Sequence, residues 1–381
     1  MAAKETVYIS IGSNLGNRKF NLQKAVFRMN EQLGTVTRLS PIYNSPSWGF
    51  NSEDFLNACL RLETDKTPDT CLELLMQLEK SMGRERTIGQ GYKSRIIDLD
   101  IIYFGNDVIH QENLIIPHPR MADRSFVLKP LADIAPQFYH PTLKKDSRNL
   151  LQQCRDKGKL DKTEGILYAS RAALFASLEF ISIEGNIGVG KTSLATKISE
   201  DFNAKLILER FAENPFLPSF YQDQSRYAFP LEMSFLADRY QQFSDDTNQF
   251  DLFKSFMISD YDIFKSLIFA KVTLQKQEYE LYRKIFNFMY KEVRKPKIYI
   301  YLYQTTERLL EQIKKRGRDY EQGIEGDYLE NINRGYMDFL KTYPKENQLI
   351  IDVSELDFVN QEKDYEYLLE TVENFAISQL D

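Results

Sequence analysis

The sequence is poor in the side chains on which several kinds of site depend. Among its 381 residues there are three cysteines, three histidines and one tryptophan. Cys59, Cys71 and Cys154 are odd in number and match no ligand spacing, so they support neither a disulfide framework nor a structural zinc site. We expect them to be buried as small hydrophobic residues. Every histidine precedes residue 141, which excludes a histidine-based catalytic triad from the second half.

Long apolar runs and a strong excess of charge are also missing. No stretch approaches 18 uninterrupted apolar residues, so no membrane span is predicted. The first residues lack the apolar core of a signal peptide, which favours a cytoplasmic enzyme. A net charge of -6 creates no general attraction to nucleic acid, so we expect small-molecule partners and neither nucleic acid nor membrane. The length predicts two globular domains.

The stretch GNIGVGKT has the pattern of a phosphate-binding loop. It lies between a strand-like run at 179–184 and a helix-like run at 193–202, which is the context that this motif requires. Its backbone N–H groups can surround a phosphate, Lys191 can reach the terminal phosphates, and the Thr192 hydroxyl can hold Mg²⁺. The loop consists of Gly185, Asn186, Ile187, Gly188, Val189, Gly190, Lys191 and Thr192. Because it begins nearly halfway along the chain, we predict a complete domain before it.

The distribution of strand-like and helix-like runs predicts an α/β chain with two domains. The first part alternates the two kinds of run and ends in a charged, weakly patterned stretch. In the second part, strand-like runs at 297–303 and 348–353 follow long helices, which predicts a parallel sheet covered by helices. The predicted division is a first domain at 1–155, a linker at 156–175 and a second domain at 176–381.

Asp98 and Asp100 begin a strand-like segment, so both carboxylates project from the same face of the strand. Mg²⁺ is typically held by one or two carboxylates together with substrate phosphates. The nearby cations Arg84, Arg86 and Arg95 could neutralise those phosphates. On these residues alone, a solvated strand edge remains the alternative.

Several motifs accompany this carboxylate pair. They are IGSNLGN at 11–17, YNSPSWG at 43–49, DFLNA at 54–58, GRER at 83–86, SRIIDLDI at 94–101, IPHPRM at 116–121 and DRSFVLKPL at 123–131. Through them the first 150 or so residues resemble the hydroxymethyl-dihydropterin pyrophosphokinases, which transfer a pyrophosphoryl group from ATP to a pterin alcohol in folate biosynthesis. The resemblance implies a ferredoxin-like α+β domain that uses Mg²⁺ and ATP.

The same resemblance implies roles for individual residues. Asp98 and Asp100 become the ligands of two Mg²⁺ ions, and Glu79 belongs to the contact region between the substrates. The residues assigned to ATP are Arg84, Arg95, His118 and Arg124. The residues assigned to the pterin are Ser45, Pro46, Phe55, Asn57 and Phe126. Tyr92 stands where the family often has tryptophan, so an aromatic cover is kept.

Glu209, Arg316 and Arg318 are candidate catalytic residues of the second half. The run at 206–210 reads as a strand ending in Glu209, where a base could meet a substrate bound beside the γ-phosphate. A helix-like run at 306–315 leads into the two arginines, which flank a glycine as a lid closing over ATP requires. By themselves the arginines also fit a solvated basic turn.

The second half resembles the deoxynucleoside kinases over residues 180–340. The motifs that carry the resemblance are GNIGVGKT, LILERFAENPFLPSFY at 206–221, RYAFPLE at 226–232, RGRDYEQGI at 316–324 and YLENI at 328–332. It implies phosphorylation of a deoxynucleoside 5′-hydroxyl by ATP, with Glu209 as the base and Arg316 and Arg318 in the lid. The substrate residues are Tyr221, Glu232, Arg239 and Glu321, of which Tyr221 and Glu321 hold the sugar 3′-hydroxyl.

This chain departs from the kinase pattern at three places. The run SDY at 259–261 stands where the family usually has an acidic residue, arginine and serine, so the expected arginine is absent. Asp260 could supply a shifted carboxylate for Mg²⁺. Glu232 replaces a base-reading glutamine, and Lys265 replaces an aspartate that normally helps to read the base. Because an ionised carboxylate only accepts hydrogen bonds, Glu232 suits the N–H groups of guanine.

Together these features predict a bifunctional enzyme that releases AMP from its first reaction and ADP from its second. Two alternatives for the second domain stay open. It could be a nucleotide-binding or dimerisation module without turnover, or a kinase for a nucleoside monophosphate or another small alcohol. The family resemblance also implies a homodimer through the helix-rich residues 230–293, with a monomer as the alternative.

Overall fold

The computed structural model describes residues 4–47, 52–84, 93–210, 214–248, 253–318, 321–342 and 344–379. The chain divides into two compact units, and the boundary along the sequence falls between Leu174 and Phe175. Within the described ranges, no helix combines the length and the apolar character needed to cross a bilayer.

The first unit combines antiparallel strands with helices. Its strands are β1 (Glu5–Ser13), β2 (Thr35–Leu39), β3 (Tyr43–Ser45), β4 (Phe55–Thr64), β5 (Asp98–Phe104), β6 (Ile109–His110), β7 (Ile115–Ile116) and β8 (Asp161–Lys162). Its helices are α1 (Arg18–Gln32), α2 (Pro68–Ser81), α3 (Ser125–Ile134) and α4 (Ser147–Gln153), and α5 (Arg171–Ser177) spans the boundary to the second unit.

The main sheet has the order β5-β1-β4-β3-β8, and β2 also pairs with β4. With α1 between β1 and β2 and α2 between β4 and β5, this is the ferredoxin-like arrangement. Alternate residues of β1 face opposite sides: Ile9 lies in the core under α1 and α2, whereas Tyr8 lies in the core under α3. Helices therefore cover both faces, and the α+β fold predicted from the sequence is confirmed.

Local signals explain where the first two helices begin. The Asn17 side chain accepts a hydrogen bond from the Phe20 backbone N–H at 3.1 Å, which caps the first turn of α1. In α2 the Thr67 side chain caps the first turn, and Pro68 occupies the first helical position, where its missing N–H costs nothing.

Residues 156–175, expected from the sequence to be a linker, pack on the first unit at several points. Strand β8 pairs with β3, and the Thr163 backbone N–H donates to the Ile42 carbonyl at 2.9 Å. The side chain of Gln23 exchanges two hydrogen bonds with the backbone of Tyr168, each 2.7 Å long. Leu167 is buried in the core under α1. The segment thus contributes structure to the first unit.

The second unit contains a parallel sheet and eight helices within the described ranges. Its strands are β9 (Phe180–Gly185), β10 (Lys205–Ile207), β11 (Met257–Ser259), β12 (Ile298–Tyr303) and β13 (Gln348–Asp352). Its helices are α6 (Lys191–Asp201), α7 (Leu217–Gln222), α8 (Gln224–Asn248), α9 (Lys265–Thr273), α10 (Lys276–Met289), α11 (Thr306–Arg316), α12 (Gly326–Leu340) and α13 (Glu362–Gln379).

The strand order β10-β11-β9-β12-β13 is parallel throughout, as predicted. All six residues of β9 are buried, which fits a central strand covered on both faces. The segments after β9, β10 and β11 leave the sheet at its carboxyl edge. After β9 the chain continues to β10 on one side of β9, and after β11 it crosses to β12 on the other side, so this edge is a topological switch point. β10 ends at Ile207, earlier than predicted, so Glu209 lies two residues beyond the strand.

Candidate active sites

A cavity in the first unit collects the residues predicted for the pterin and the carboxylate pair. Its lining is Ser10, Gly12, Ser45, Pro46, Phe55, Asn57, Arg95, Asp98, Asp100, Arg124 and Phe126. Ser10 and Gly12 were not predicted as site residues, although they lie beside Asp98 and Asp100 in the β1–β5 register. Arg86 and Tyr92 lie outside the described residues.

Asp98 is the more strongly paired carboxylate. Its Oδ1 lies 2.6 Å from Arg84 Nη1, and its Oδ2 lies 2.9 Å from Arg95 Nη1. Burial favours the neutral acid, but the charges of Arg95 and Arg84 outweigh it and hold the pKa of Asp98 below its usual range. Asp98 is therefore a carboxylate at neutral pH.

Asp100, on the same face of β5, has more distant partners. His118 Nε2 and Arg124 Nη1 lie 3.9 and 4.0 Å from its Oδ2. Burial and the adjacent charge of Asp98 raise the pKa of Asp100 to about 6. Two carboxylates that repel one another beside a cavity fit a divalent cation, which would relieve that repulsion. The donor set therefore suits Mg²⁺.

His118 and Glu79 lie next to this pair. Burial, reinforced by Arg124 and Arg120, lowers the pKa of His118 to about 4, so its imidazole is neutral at neutral pH. Glu79, buried in the last turns of α2, accepts a hydrogen bond from the Leu99 backbone N–H at 2.9 Å and also pairs with Arg84. Arg84 thus joins Glu79 to Asp98.

The other end of the cavity suits a flat ring with polar edges. Asn57 Nδ2 donates to Ser45 Oγ at 2.9 Å, and both side chains are buried. A Cβ at Gly12 would lie 3.1 Å from Asn57 Oδ1, so glycine keeps space in front of that oxygen. The rings of Phe55 and Phe126 provide apolar faces that a ring can stack on.

In the second unit, the phosphate loop connects β9 to α6 as predicted. Gly188 and Gly190 have φ angles of +88° and +96°, which side chains rarely adopt. A Cβ at Gly190 would also lie 2.8 Å from the ring of Phe358. Lys191 Nζ donates to the carbonyls of Gly185 and Asn186, each at 2.9 Å. Burial, together with the charge of Lys265, lowers the pKa of Lys191 to about 8.

Asp260 joins the phosphate loop to the segment that follows β10. Its Oδ2 lies 2.5 Å from Thr192 Oγ1, and its Oδ1 accepts a hydrogen bond from the Glu209 backbone N–H at 2.8 Å. A hydroxyl and a carboxylate at the end of a phosphate loop are oxygen ligands of the kind that Mg²⁺ prefers. Asp260, which the sequence suggested as a carboxylate ligand for Mg²⁺, thus lies beside Thr192.

Glu209 is buried between two cations. Arg239 Nη2 lies 2.6 Å from its Oε1, and Lys265 Nζ lies 2.6 Å from its Oε2. Burial opposes ionisation, but the charges of Lys265 and Arg239 prevail and lower the pKa of Glu209. The sequence predicted Glu209 and Arg239 as site residues but did not predict that Lys265 would contact Glu209, since the two residues are far apart along the chain.

Eleven of the residues predicted for the second site line one cavity of the second unit, whereas Gly185, Asn186, Val189 and Gly190 of the phosphate loop are not part of its lining. The eleven are Ile187, Gly188, Lys191, Thr192, Glu209, Tyr221, Glu232, Arg239, Arg316, Arg318 and Glu321, joined by Leu217, Phe220, Leu231, Phe235, Asp260, Lys265, Phe269 and Tyr328. Arg316 and Arg318 both pair with Glu321, the latter at 3.2 Å. The proposed lid is therefore held to the residue predicted to bind the sugar.

Glu232 lines this cavity, and only one of its two carboxylate oxygens has a hydrogen-bond partner among the described residues. Its Oε1 accepts a hydrogen bond from Thr273 Oγ1 at 3.0 Å, whereas its Oε2 is buried and has no hydrogen-bond partner among the described residues. Burial raises the pKa of Glu232 to about 7, although the charge of Arg239 opposes this rise. A donor from a bound ligand or from a water molecule would satisfy this oxygen.

Two separate cavities, each with acidic and basic groups suited to phosphate chemistry, define the chain as a kinase-type transferase with two sites. The family model described as deoxynucleoside kinase matches residues 181–377, and the model described as 7,8-dihydro-6-hydroxymethylpterin-pyrophosphokinase matches residues 8–136. The chain belongs to both families, one through each unit, and both resemblances stated from the sequence are confirmed.

Two curated relatives, one for each unit, agree with the family models. A deoxyguanosine kinase of Bacillus subtilis is 37% identical over 202 residues, which are 52% of this chain and 98% of that protein. A 2-amino-4-hydroxy-6-hydroxymethyldihydropteridine pyrophosphokinase of the same species is 42% identical over 132 residues, which are 34% of this chain and 78% of that protein. A deoxyadenosine kinase structure from M. mycoides with bound dATP is 27% identical, with a TM-score of 0.45, over 51% of this chain and 99% of that one.

Proposed function

We propose that the first unit transfers a pyrophosphoryl group from ATP to 6-hydroxymethyl-7,8-dihydropterin and releases AMP. The observation that carries this proposal is the single cavity in which a paired carboxylate site meets a ring-sized pocket with an amide at its edge. Pterin pyrophosphokinase is also the family of this unit. The pterin would lie between Phe55 and Phe126, with Asn57 at its polar edge.

In this reaction the pterin hydroxyl oxygen bonds to the β-phosphorus of ATP, and the bond from that phosphorus to the oxygen bridging the α-phosphate breaks. Such transfers depend mainly on positioning and on neutralising phosphate charge. Arg84 and Arg95 supply cations at one side of the carboxylates, and Arg124 and neutral His118 supply polar contacts at the other. Asp98 and Asp100 would hold Mg²⁺, which when bound would offset the charge of the ATP phosphates.

The test is an incubation of the full chain with Mg·ATP, with and without the pterin alcohol, followed by separation of the nucleotides. We expect AMP and the pterin diphosphate to form in equal amounts, and only when the pterin is present. Formation of ADP instead of AMP, or AMP formation that does not depend on the pterin, would contradict the proposal.

We further propose that the second unit phosphorylates the 5′-hydroxyl of a deoxynucleoside, with deoxyguanosine preferred, and releases ADP. The observation that carries the activity is the buried Glu209 in the cavity that also contains Lys191 and Thr192. The preference rests on Glu232 Oε2, a buried acceptor that suits the N–H groups at the guanine edge. The B. subtilis relative named deoxyguanosine kinase agrees with it.

In the proposed mechanism Glu209 accepts the proton of the 5′-hydroxyl, while the 5′-oxygen forms a bond to the γ-phosphorus. Arg316 and Arg318 would leave Glu321 and close over the phosphates, which frees Glu321 for the sugar 3′-hydroxyl beside Tyr221. Thr192 and Asp260 would hold Mg²⁺, which when bound would neutralise charge on the terminal phosphates.

A panel of deoxyguanosine, deoxyadenosine, deoxycytidine and dGMP, assayed for ADP with the full chain, tests this activity. We expect ADP with deoxynucleosides, most rapidly with deoxyguanosine. Phosphorylation of dGMP alone would support the nucleoside monophosphate kinase alternative, and ADP formation with none of the four would support the module without turnover.

We also propose that the chain acts in the cytoplasm, since both reactions draw on ATP. We further propose that it forms a homodimer through α10. Leu281 and Phe288 lie seven residues apart on α10, two helical turns, and are 52% and 79% exposed. Large apolar side chains on one exposed helix face suit burial against a second copy.

A further inference from the structure

Lys265 lies in an unusual position for a lysine. It is the first residue of α9, where the helix dipole disfavours a positive charge, and its side chain is only 8% exposed. Its Nζ lies 2.6 Å from Glu209 Oε2, inside the cavity that also contains Lys191 and Thr192. Local preference is most often violated at functional positions.

The end of β11 brings a carboxylate, and no cation, to the phosphate loop. Asp260 accepts one hydrogen bond at each oxygen, from Thr192 Oγ1 and from the Glu209 backbone N–H. Its neighbours Ser259 and Tyr261 are buried and carry no charge at neutral pH. The run SDY thus lacks the arginine that the kinase pattern has there, and the cations of this cavity come from other elements, namely Lys191, Arg239, Lys265, Arg316 and Arg318.

We propose, building on the kinase activity proposed above, that Lys265 takes the place of the missing arginine: its ammonium group pairs with Glu209 in the resting enzyme and contacts the transferring phosphoryl group during the reaction. The phosphate loop then still has an acidic and a cationic neighbour, as in the kinase pattern. Here the acid is Asp260 and the cation is Lys265, at the start of α9.

The change in charge during phosphoryl transfer favours movement of the Lys265 ammonium group from Glu209 to the phosphoryl group. The 5′-oxygen forms its bond to the γ-phosphorus, the bond from that phosphorus to the oxygen bridging the β-phosphate breaks, and ADP leaves. The hydroxyl proton passes to Glu209, which thereby loses its negative charge. The attraction between Glu209 and Lys265 weakens just as negative charge is spread over the phosphoryl oxygens. A lysine on its flexible stem can follow that change.

Arg239, the other partner of Glu209, is held more firmly. Its Nε and Nη2 both donate to Glu209 Oε1, at 2.9 and 2.6 Å, and its Nη1 donates to Ser266 Oγ at 2.8 Å. Its guanidinium also lies 4.7 Å from the centre of the Phe235 ring. Arg239 therefore fixes the orientation of Glu209, which leaves Lys265 as the partner that can move.

The test compares Lys265→Met with Lys265→Arg in the full chain, using deoxyguanosine and deoxyadenosine as separate substrates. The matched control is Lys271→Met on the same helix. Lys271 is exposed, and its ion pair with Asp338 is long, at 3.9 Å. AMP formation by the first unit, measured in the same preparations, reports the amount of active chain, and a thermal melt of each variant followed by circular dichroism reports whether the second unit is folded.

We expect Lys265→Met to lower kcat for ADP formation by about 100- to 1,000-fold, the usual effect of removing one group that stabilises transition-state charge. Both nucleosides should be slowed by the same factor, KM should change much less, and Lys265→Arg should recover most of the rate. Lys271→Met should match the wild type. Addition of ethylammonium should partly restore Lys265→Ala, because the small amine replaces the missing charge.

Two results would overturn the proposal. One is a kcat for Lys265→Met close to that of the wild type. The other is a loss that differs between deoxyguanosine and deoxyadenosine, because that pattern identifies Lys265 as a base-reading residue. A wild-type chain that phosphorylates no deoxynucleoside would overturn the kinase activity and this inference together, whereas an active wild type with an equally active Lys265→Met overturns the inference alone.

Discussion

The carboxylate of Asp156 caps the helix that carries Phe126. Its Oδ2 accepts hydrogen bonds from the Ser125 backbone N–H at 2.9 Å and from Ser125 Oγ at 2.6 Å. A negative charge at a helix N-terminus is favourable, and Ser125 lies directly between Arg124 and Phe126. Asp156 lies beyond residues 8–136 that the pyrophosphokinase model matches, so the chain after the matched region supports the first site.

We expect Asp156→Ala to impair the first reaction by misplacing both Arg124 and Phe126. Loss of a capping side chain costs about 1–2 kcal/mol of stability. A small displacement of substrate contacts can lower a rate by about 100-fold. Steady-state kinetics of AMP formation should therefore show a lower kcat/KM with raised KM values for ATP and for the pterin.

The controls for this variant lie in the same segment and in the other unit. Asp161→Asn removes the same charge from an exposed residue that pairs with Lys159, and it should leave AMP formation unchanged. Asp156→Asn keeps an oxygen acceptor and should lose less activity than Asp156→Ala. An Asp156→Ala enzyme with wild-type KM values, or one that loses ADP formation to the same extent, would show that Asp156 does not position the pterin site.

The features of this fold that depend on residues close together in the sequence can be predicted from the sequence. The strand, loop and helix around Gly188 and Gly190 are predictable because those glycines take backbone conformations that other residues avoid. The carboxylate pair of β5 is predictable because side chains alternate along a strand. The ferredoxin-like and parallel sheets follow from the order of such elements, together with the family resemblance.

Contacts between distant parts of the chain were not predictable in this way. Lys265 lies beside Glu209 because the start of α9 and the end of β10 meet at the sheet edge, which no spacing in the sequence reports. The cap from Asp156 to Ser125 is similar, since the charged run around 156 has no periodic pattern. Such contacts depend on tertiary packing, which brings together residues that are far apart along the chain.

The unpartnered oxygen of Glu232 predicts how base preference can be changed. Glu232→Gln replaces one acceptor with an N–H donor, which matches the adenine edge better than the guanine edge. A buried polar group left without a partner costs about 1–3 kcal/mol, so we expect kcat/KM for deoxyguanosine to fall by about ten- to a hundredfold relative to deoxyadenosine. Competition between the two nucleosides measures this ratio. An unchanged ratio would remove Glu232 from base recognition.

The same residue predicts a pH dependence. Burial raises the pKa of Glu232 to about 7, and only its ionised form accepts two hydrogen bonds from guanine. The value of kcat/KM for deoxyguanosine, which reports the free enzyme, should therefore rise between pH 6 and pH 8. In Glu232→Gln this rise should be absent. A rise of equal size in both enzymes would assign the titration to another group.

The proposed dimer predicts the effect of placing charge on α10. Replacing Leu281 or Phe288 with glutamate should turn a dimer into a monomer, because a charge cannot be buried cheaply in an apolar interface. Light scattering after gel filtration measures the mass directly. Tyr139→Glu, at an exposed aromatic residue of the first unit, should leave the mass unchanged. A wild-type chain with the mass of one copy would contradict the proposal.

The most direct test of two independent ATP sites is one reaction in which both products are counted. The full chain is incubated with Mg·ATP, the pterin alcohol and deoxyguanosine, and AMP and ADP are resolved for the wild type, Asp98→Ala and Glu209→Gln. We predict that Asp98→Ala abolishes AMP and leaves ADP unchanged. Glu209→Gln should lower ADP by about 100-fold or more, the usual contribution of a general base, and leave AMP unchanged. AMP formation that survives Asp98→Ala, or the loss of both products in either variant, would contradict the account.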